Sequence, residues 1–109
     1  MKGILGVLIC ALAVFLMTAV GFAKEEAKVD LGGNLFKKHC VACHPEGGNI
    51  IKPEKSLRKK DREANKVMVA DDIIKLMRNP GPGMVKFGEK VIPEKEAKAI
   101  ADYILKTFK

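Results

Sequence analysis

The sequence predicts an all-α fold. In several separate stretches, apolar residues recur at the three- and four-residue spacing of an amphipathic helix. No stretch alternates polar and apolar residues as a half-buried strand would, and clusters of Pro and Gly separate the helical stretches. The chain has 109 residues and no internal repeat, so we expect one small domain, covering residues 31–109.

The first predicted helix begins with Asp30 as its cap and ends at about Cys40. After it, Gly47-Gly48-Asn49 predicts a loop, because glycines favour turns. Ser56 is the expected N-cap of a second, polar helix. One face of the first helix would carry Gly32, Leu35, Phe36 and His39.

A third helix is predicted from Asp72 to about Arg78, with Asp71 as its cap. The prolines and glycines of residues 80–83 end it. The last helix opens with Pro93 at its first position, where a missing N–H costs nothing. Its expected buried stripe is Ala97, Ile100, Ala101, Ile104 and Phe108.

The first residues are typical of a secretory signal peptide. A basic start at Lys2 precedes an apolar run over residues 4–20, and small residues precede a cut expected after Ala23. Residues 1–23 are therefore predicted as a signal peptide, and residues 24–30 as a flexible leader. An uncleaved membrane anchor facing the periplasm is the alternative, since the run approaches the ~20 residues that span a bilayer. A lipid-modified Cys10 is disfavoured because it lies in the middle of the run.

Cys40-Val41-Ala42-Cys43-His44 has the C-x-x-C-H spacing of a covalent haem attachment site. The two thiols can each form a thioether to one porphyrin, and the next histidine can bind its iron. Export agrees with this, because such haem is attached outside the cytoplasm. The haem would also supply apolar core to a mature chain of only 109 − 23 = 86 residues.

Other uses of these cysteines are weaker. A redox dithiol usually follows a strand in a βαβ pattern, and none precedes Cys40. Zinc needs about four ligands, and the rest of the chain adds only Cys10 and His39. A disulfide between Cys40 and Cys43 stays open, although it leaves His44 without a role.

Met84 is the residue we expect as the second iron ligand. It follows two Pro-Gly pairs in a stiff, irregular loop, whereas Met68 and Met77 fall on helical stripes, where methionine is more often packing. His39 is adjacent to Cys40 and is expected on the same side of the ring. A thioether favours ferrous iron and fills the coordination sphere, which favours electron transfer over oxygen or peroxide chemistry.

From about Leu31 to Lys109, the sequence resembles the class I monohaem c-type cytochromes, nearest to the small soluble cytochrome c-six and c-five-five-three type. The resemblance depends on the order of several motifs: Gly32-x-x-x-Phe36, Cys40-x-x-Cys43-His44, Gly47-Gly48-Asn49, Lys55-Ser56-Leu57, Met84-Val85-Lys86-Phe87-Gly88, Ile92-Pro93-Glu94-Lys95-Glu96 and Tyr103. One departure is Val85, where the family usually has proline directly after the methionine ligand.

The resemblance implies a class I cytochrome c fold, with three core helices plus a short helix around one covalent haem c. It implies an electron carrier and not an enzyme, with thioethers at Cys40 and Cys43 and iron bound by His44 and Met84. It also suggests the Pro53 backbone carbonyl as a partner for the His44 ring. A small peroxidase or a sensor would instead need an open or labile sixth position.

The formal net charge of +7 falls to +6 after removal of residues 1–23, which contain one lysine and no acid. A basic face would steer the protein to acidic redox partners or to anionic membrane complexes. An evenly solvated basic surface explains the charge equally well. Lysines without interleaved aromatic residues do not indicate nucleic-acid binding. We expect an exported, periplasmic monomer.

Overall fold

The computed structural model describes residues 30–109, and this part of the chain is helical with no strand. The all-α prediction is therefore confirmed. The predicted signal peptide, the anchor alternative, Cys10 and leader residues 24–29 lie outside the described residues. Within residues 30–109, no helix has the length and apolar character needed to cross a membrane.

Four α-helices and two short 3-10 helices make up the described fold. The α-helices are α1 (residues 30–39), α2 (Lys59–Ala64), α3 (Ala70–Arg78) and α4 (Glu94–Thr107). The 3-10 helices lie between α1 and α2, at Pro45–Gly47 and Pro53–Lys55.

Helices α1 and α4 contact each other closely at Gly32. A Cβ on Gly32 would overlap the carbonyl oxygen of Ala99 and lie 2.8 Å from the Cβ of Tyr103, so only glycine fits there. One turn later, the buried ring of Phe36 packs against Tyr103 and Phe108, with ring centroids 5.4 and 5.3 Å apart. This contact brings the chain ends of the described fold together and holds the turn that follows α1.

Helices α3 and α4 pack on each other and form most of the core. Four of the five residues predicted for the stripe on α4 are buried, and Phe108, just beyond the helix, is half-buried. On α3, Leu76 is exposed whereas its apolar neighbours are buried. The buried apolar residues are Phe36, Ile73, Ile74, Met77, Ile92, Ala97, Ile100, Ala101 and Ile104.

The start of α3 differs from the prediction. The helix begins at Ala70, and Asp72, not Asp71, supplies the stabilising carboxylate. Asp72 Oδ2 accepts the backbone N–H groups of Met68 at 2.9 Å and Val69 at 3.1 Å. These bonds lower the pKa of the Asp72 carboxyl because they favour its charged form. A carboxylate in the third helical position can reach back to these amides, as in half of a capping box.

Helix α2 also starts later than predicted. Ser56 lies three residues before Lys59; its Oγ accepts the Arg58 N–H at 3.2 Å and donates to Asp61. Ser56 is buried, so its hydroxyl ties the loop to α2 and does not cap the first turn. The other boundaries shift by about one residue: Asp30 is already helical, and Pro93 is the N-cap of α4.

Candidate functional site

The C-x-x-C-H segment forms a hydrogen-bonded turn directly after α1. The amide of Cys40 donates to Phe36 O at 2.8 Å, and the amides of Cys43 and His44 donate to Cys40 O at 3.1 and 2.8 Å. The amides of Cys40 and His44 thus each donate to the carbonyl four residues earlier, as in a helix, so the turn continues helix-like hydrogen bonding beyond the end of α1. Both cysteines are half-buried and not joined in a disulfide, and both line a cleft together with His44.

The His44 ring is oriented by a backbone carbonyl. His44 Nδ1 lies 2.7 Å from Gly48 O. Because a carbonyl oxygen can only accept, Nδ1 carries the proton of a neutral ring, and Nε2 keeps a free lone pair. The suggestion that Pro53 provides this carbonyl is wrong for this structure, in which Gly48 occupies that role.

A tight reversal after His44 brings the Gly48 carbonyl back to the ring. Glu46 and Gly47 have φ values of +54° and +78°, in the left-handed region that folds the chain back on itself. Gly47 is buried against Phe108, and a Cβ there would overlap the phenyl ring. The orientation of His44 therefore depends on a contact with the C-terminal end of the fold.

The cleft has a volume of about 290 Å³ and is lined by several separate segments of the chain. The end of α1 contributes His39, the turn after it contributes the two cysteines and His44, and the segment after α3 contributes Pro80–Val85 and Phe87. Apolar residues of α3, α4 and the loops flanking α2 complete much of the lining: Leu57, Val67, Ile73, Leu76, Met77 and Ile104.

Polar and charged side chains from residues 49–65 line another part of the cleft. They are Asn49, Lys52, Lys55, Ser56, Asp61, Arg62 and Asn65. An apolar cleft with two thiols, one imidazole with a free nitrogen and one nearby thioether fits a flat macrocycle that binds iron. The cationic residues fit the two carboxylates that haem carries. The residues present therefore match haem c.

Three methionines of the described chain differ in their surroundings. Met84 lines the cleft and is 37% exposed, whereas Met77 is 4% exposed and belongs to the core. Met68 lies in a different groove, beside Lys59 and Leu105. His39 makes an edge-on ring contact with Phe87, with centroids 5.9 Å apart. The assignment of Met84 as ligand stays a prediction that this placement favours.

The alternative of a thiolate metal site finds no support here. Burial raises the pKa of the Cys40 thiol to about 11, and the neighbouring Cys43 adds to the effect. In the absence of a bound group, Cys40 is therefore a thiol at neutral pH. Within residues 30–109, no group of three or more His, Cys, Asp or Glu side chains could hold a metal ion.

Sequence reasoning missed two parts of the site. Asn49 organises the loop beside His44, since its Oδ1 accepts the amides of Ile51 and Lys52 and its Nδ2 donates to Lys55 O. The Gly-Gly-Asn pattern could have indicated this Asx-type turn. Arg78 bonds to the segment after Met84, and nothing in the local sequence indicates that contact.

The sequence is similar to known proteins over most of its length. The family model described as "Cytochrome C oxidase, cbb3-type, subunit III" matches residues 27–104. Cytochrome c6 of Porphyra purpurea is 36% identical over 107 residues, which cover 96% of this chain and 94% of the relative. Cytochrome c6 of Pyropia yezoensis is 35% identical over 94 residues, 84% of each chain.

Solved structures show the same similarity. OmcF, the outer membrane cytochrome F of Geobacter sulfurreducens, is 47% identical, with a TM-score of 0.69, over 72% of this chain and 99% of that one. Cytochrome c6C of Synechococcus sp. PCC 7002 is 29% identical, with a TM-score of 0.67, over 72% of this chain and 94% of that one.

Proposed function

This chain belongs to the small monohaem class I c-type cytochromes, and from this membership we propose that it shuttles single electrons between redox proteins, with its haem iron bound by His44 and Met84. Membership makes the chain a monohaem electron carrier with one covalently bound haem c, and not an enzyme. The proposal adds which residues hold the haem and how the carrier works.

The observation that carries the proposal is the arrangement of four side chains around one cleft. Cys40 and Cys43 would form the thioether bonds, because both line the cleft on the turn that also bears His44. The Gly48 carbonyl leaves His44 Nε2 available for iron. Met84 reaches the same cleft from the segment between α3 and α4.

Two permanent ligands favour electron transfer over catalysis. The haem, when bound, supplies a one-electron couple between ferrous and ferric iron. If His44 and Met84 both held the iron, small molecules such as dioxygen or peroxide would find no open site on it. The segment around Met84 also has no histidine, and its nearest carboxylate in sequence is Glu89. A peroxidase or a sensor with a labile ligand is therefore less favoured.

The surface around the cleft suits brief contact with an acidic partner protein. Ile51 and Val85 line the cleft and are more than half exposed, and Lys52 and Lys55 line it as well. Apolar contact combined with weak, screened charge attraction allows rapid release, which a shuttle needs. We place the protein in the periplasm as a monomer, exported by the signal peptide predicted to end at Ala23.

Absorption spectra of the matured protein test the ligation. We expect low-spin spectra in both oxidation states, and a weak far-red sulfur-to-iron band in the oxidised form that disappears in Met84→Ala. Met68→Ala is the matched control, since Met68 lies in another groove and should leave the band intact. High-spin ferrous haem that binds carbon monoxide in the unmutated protein would overturn the proposal in favour of a sensor or peroxidase.

A further inference from the structure

The segment that carries Met84 is tied to the helices at both ends. At its start, the Asn79 amide donates to Lys75 O at 2.8 Å, which closes the last turn of α3. At its other end, the Phe87 amide donates to Met77 O at 2.8 Å. The residues between, Pro80–Lys86, run along the cleft, and all but Pro80 are exposed. The position of Met84 therefore depends strongly on these two ends.

Arg78 holds the second end through an additional set of bonds. Its Nη1 donates to Phe87 O at 3.1 Å and to Ile92 O at 2.8 Å, and its Nη2 donates to a Glu94 carboxylate oxygen at 3.2 Å. Arg78, at the end of α3, thus connects Phe87 to Ile92 and Glu94, which lie before and at the start of α4. Both backbone polar groups of Phe87 are bonded to residues of α3.

The surroundings of Arg78 favour a strong set of bonds. Its side chain is 20% exposed, so water competes only partly for the guanidinium donors. A charged donor to a carbonyl forms a stronger bond than a neutral one, and the planar guanidinium can serve several acceptors at once. Its position in the last turn of α3 also places the positive charge at the favourable end of the helix dipole. A lysine could not reproduce this set of bonds.

From these contacts we propose that Arg78 is a positioning residue for Met84, and that its bond to Phe87 O keeps the methionine sulfur on the iron. The inference rests on the proposed ligation by Met84. Arg78 itself need not touch the haem, since it is absent from the lining of the cleft. Its role would be to hold Phe87, the residue at the C-terminal end of the Met84 segment, against α3.

Substitutions at Arg78 separate positioning from general stability. Arg78→Met removes all three contacts. Arg78→Lys keeps the positive charge but lacks the planar guanidinium that serves several acceptors. Glu94→Gln removes only the ion pair. Ile100→Val is the stability control, because Ile100 is fully buried in the core and does not line the cleft. Each variant is matured with haem and compared by far-red absorption, imidazole titration of the ferric form, and hydrogen exchange of the Phe87 amide.

We expect Arg78→Met to bind imidazole at least about tenfold more tightly, because imidazole would compete with a weakened sulfur bond. Its far-red band should weaken and its Phe87 amide should exchange faster. Arg78→Lys should behave similarly, whereas Glu94→Gln and Ile100→Val should bind imidazole within about twofold of the unmutated protein.

The outcomes distinguish this inference from the proposed function. If the unmutated protein lacks the far-red band, the ligation by Met84 is wrong, and the inference is overturned with it. If the unmutated protein has the band but Arg78→Met leaves the band, imidazole affinity and amide exchange unchanged, only the role of Arg78 is wrong. If Ile100→Val changed the band, imidazole affinity and amide exchange as much as Arg78→Met, the positioning role of Arg78 would also be overturned, because the changes would then reflect a loss of overall stability.

Discussion

His44 Nδ1 lies 2.7 Å from the carbonyl oxygen of Gly48, four residues ahead in the chain. This bond sets the tautomer of the ring and directs Nε2 away from the backbone. It exists because Glu46 and Gly47 turn the chain back through positive φ angles. The acceptor that orients the expected iron ligand is therefore a backbone carbonyl and not a side chain.

Gly47→Ala should destabilise the protein by about 2–4 kcal/mol, because a Cβ there meets the Phe108 ring and the residue must keep a positive φ. The loss can be measured by denaturant unfolding of the haem-loaded protein. Gly88→Ala is the matched control, since a Cβ at Gly88 meets no atom within 4 Å. Equal stability of the two variants would contradict the role of the Phe108 contact.

Arg62→Met should lower the free energy of unfolding by about 2–3 kcal/mol. Arg62 is 6% exposed, and it donates to Leu57 O at 2.8 Å and to Phe108 O at 3.2 Å, so its removal leaves two carbonyls without a donor. Thermal or denaturant unfolding would measure the change. Lys59→Met should cost less than about 0.5 kcal/mol, because Lys59 makes only an exposed ion pair with Glu63. A loss in Arg62→Met no larger than that of the control would show that these bonds contribute little.

Asp72→Asn should reduce stability at neutral pH and much less in acid. The folded-state pKa of Asp72 is lowered by the amides of Met68 and Val69, so its stabilisation is complete above the ordinary carboxyl pKa. It is lost as the pH falls through the lowered value in the folded state. Unfolding curves from pH 7 to pH 2 should therefore converge for the variant and the unmutated protein. Asp71→Asn leaves the Asp72 bonds in place and should lose less stability at neutral pH than Asp72→Asn. If Asp71→Asn showed an equal loss at pH 7 that disappeared in acid, Asp72 would not be the carboxylate that stabilises the start of α3.

Cysteine substitutions test the attachment of haem. Cys40→Ser and Cys43→Ser should each retain haem through the remaining thioether, and the double variant should lose covalent haem entirely. Haem staining after denaturing electrophoresis, together with intact mass, distinguishes these forms. Ser56→Ala is the control, because it keeps both thiols and should retain full staining. Covalent haem in the double variant would overturn the assignment of both residues.

Electron transfer to an acidic partner protein should slow as salt is added. The chain without residues 1–23 carries a formal charge of +6, and ionic strength of about 0.1 M limits charge attraction to roughly 10 Å. Stopped-flow rates with an acidic and a basic redox protein of similar potential would measure this. A rate that does not change with salt for the acidic partner would indicate an apolar contact without electrostatic steering.

Much of the fold could be read from the sequence because helices depend on local patterns. The three- and four-residue spacing predicted the stripe on α4, and Gly32 and Tyr103, two residues of the family resemblance, lie where α1 meets α4. The cluster of Cys40, Cys43 and His44 is equally local, since all three residues lie on one turn. Helix starts were less accurate, because Asp71 and Asp72 look alike in sequence and only the backbone geometry selects Asp72.

The sequence by itself determined the helical class, the C-x-x-C-H turn and the choice of Met84 as the expected ligand. Only the tertiary structure decided that Gly48 orients His44, that Phe108 packs on Gly47, and that Arg78 binds Phe87 O. Those contacts involve backbone carbonyls or residues far apart in the chain. A backbone carbonyl is present at every residue and leaves no sequence pattern, so its partner is known only when the packed helices bring the two groups together.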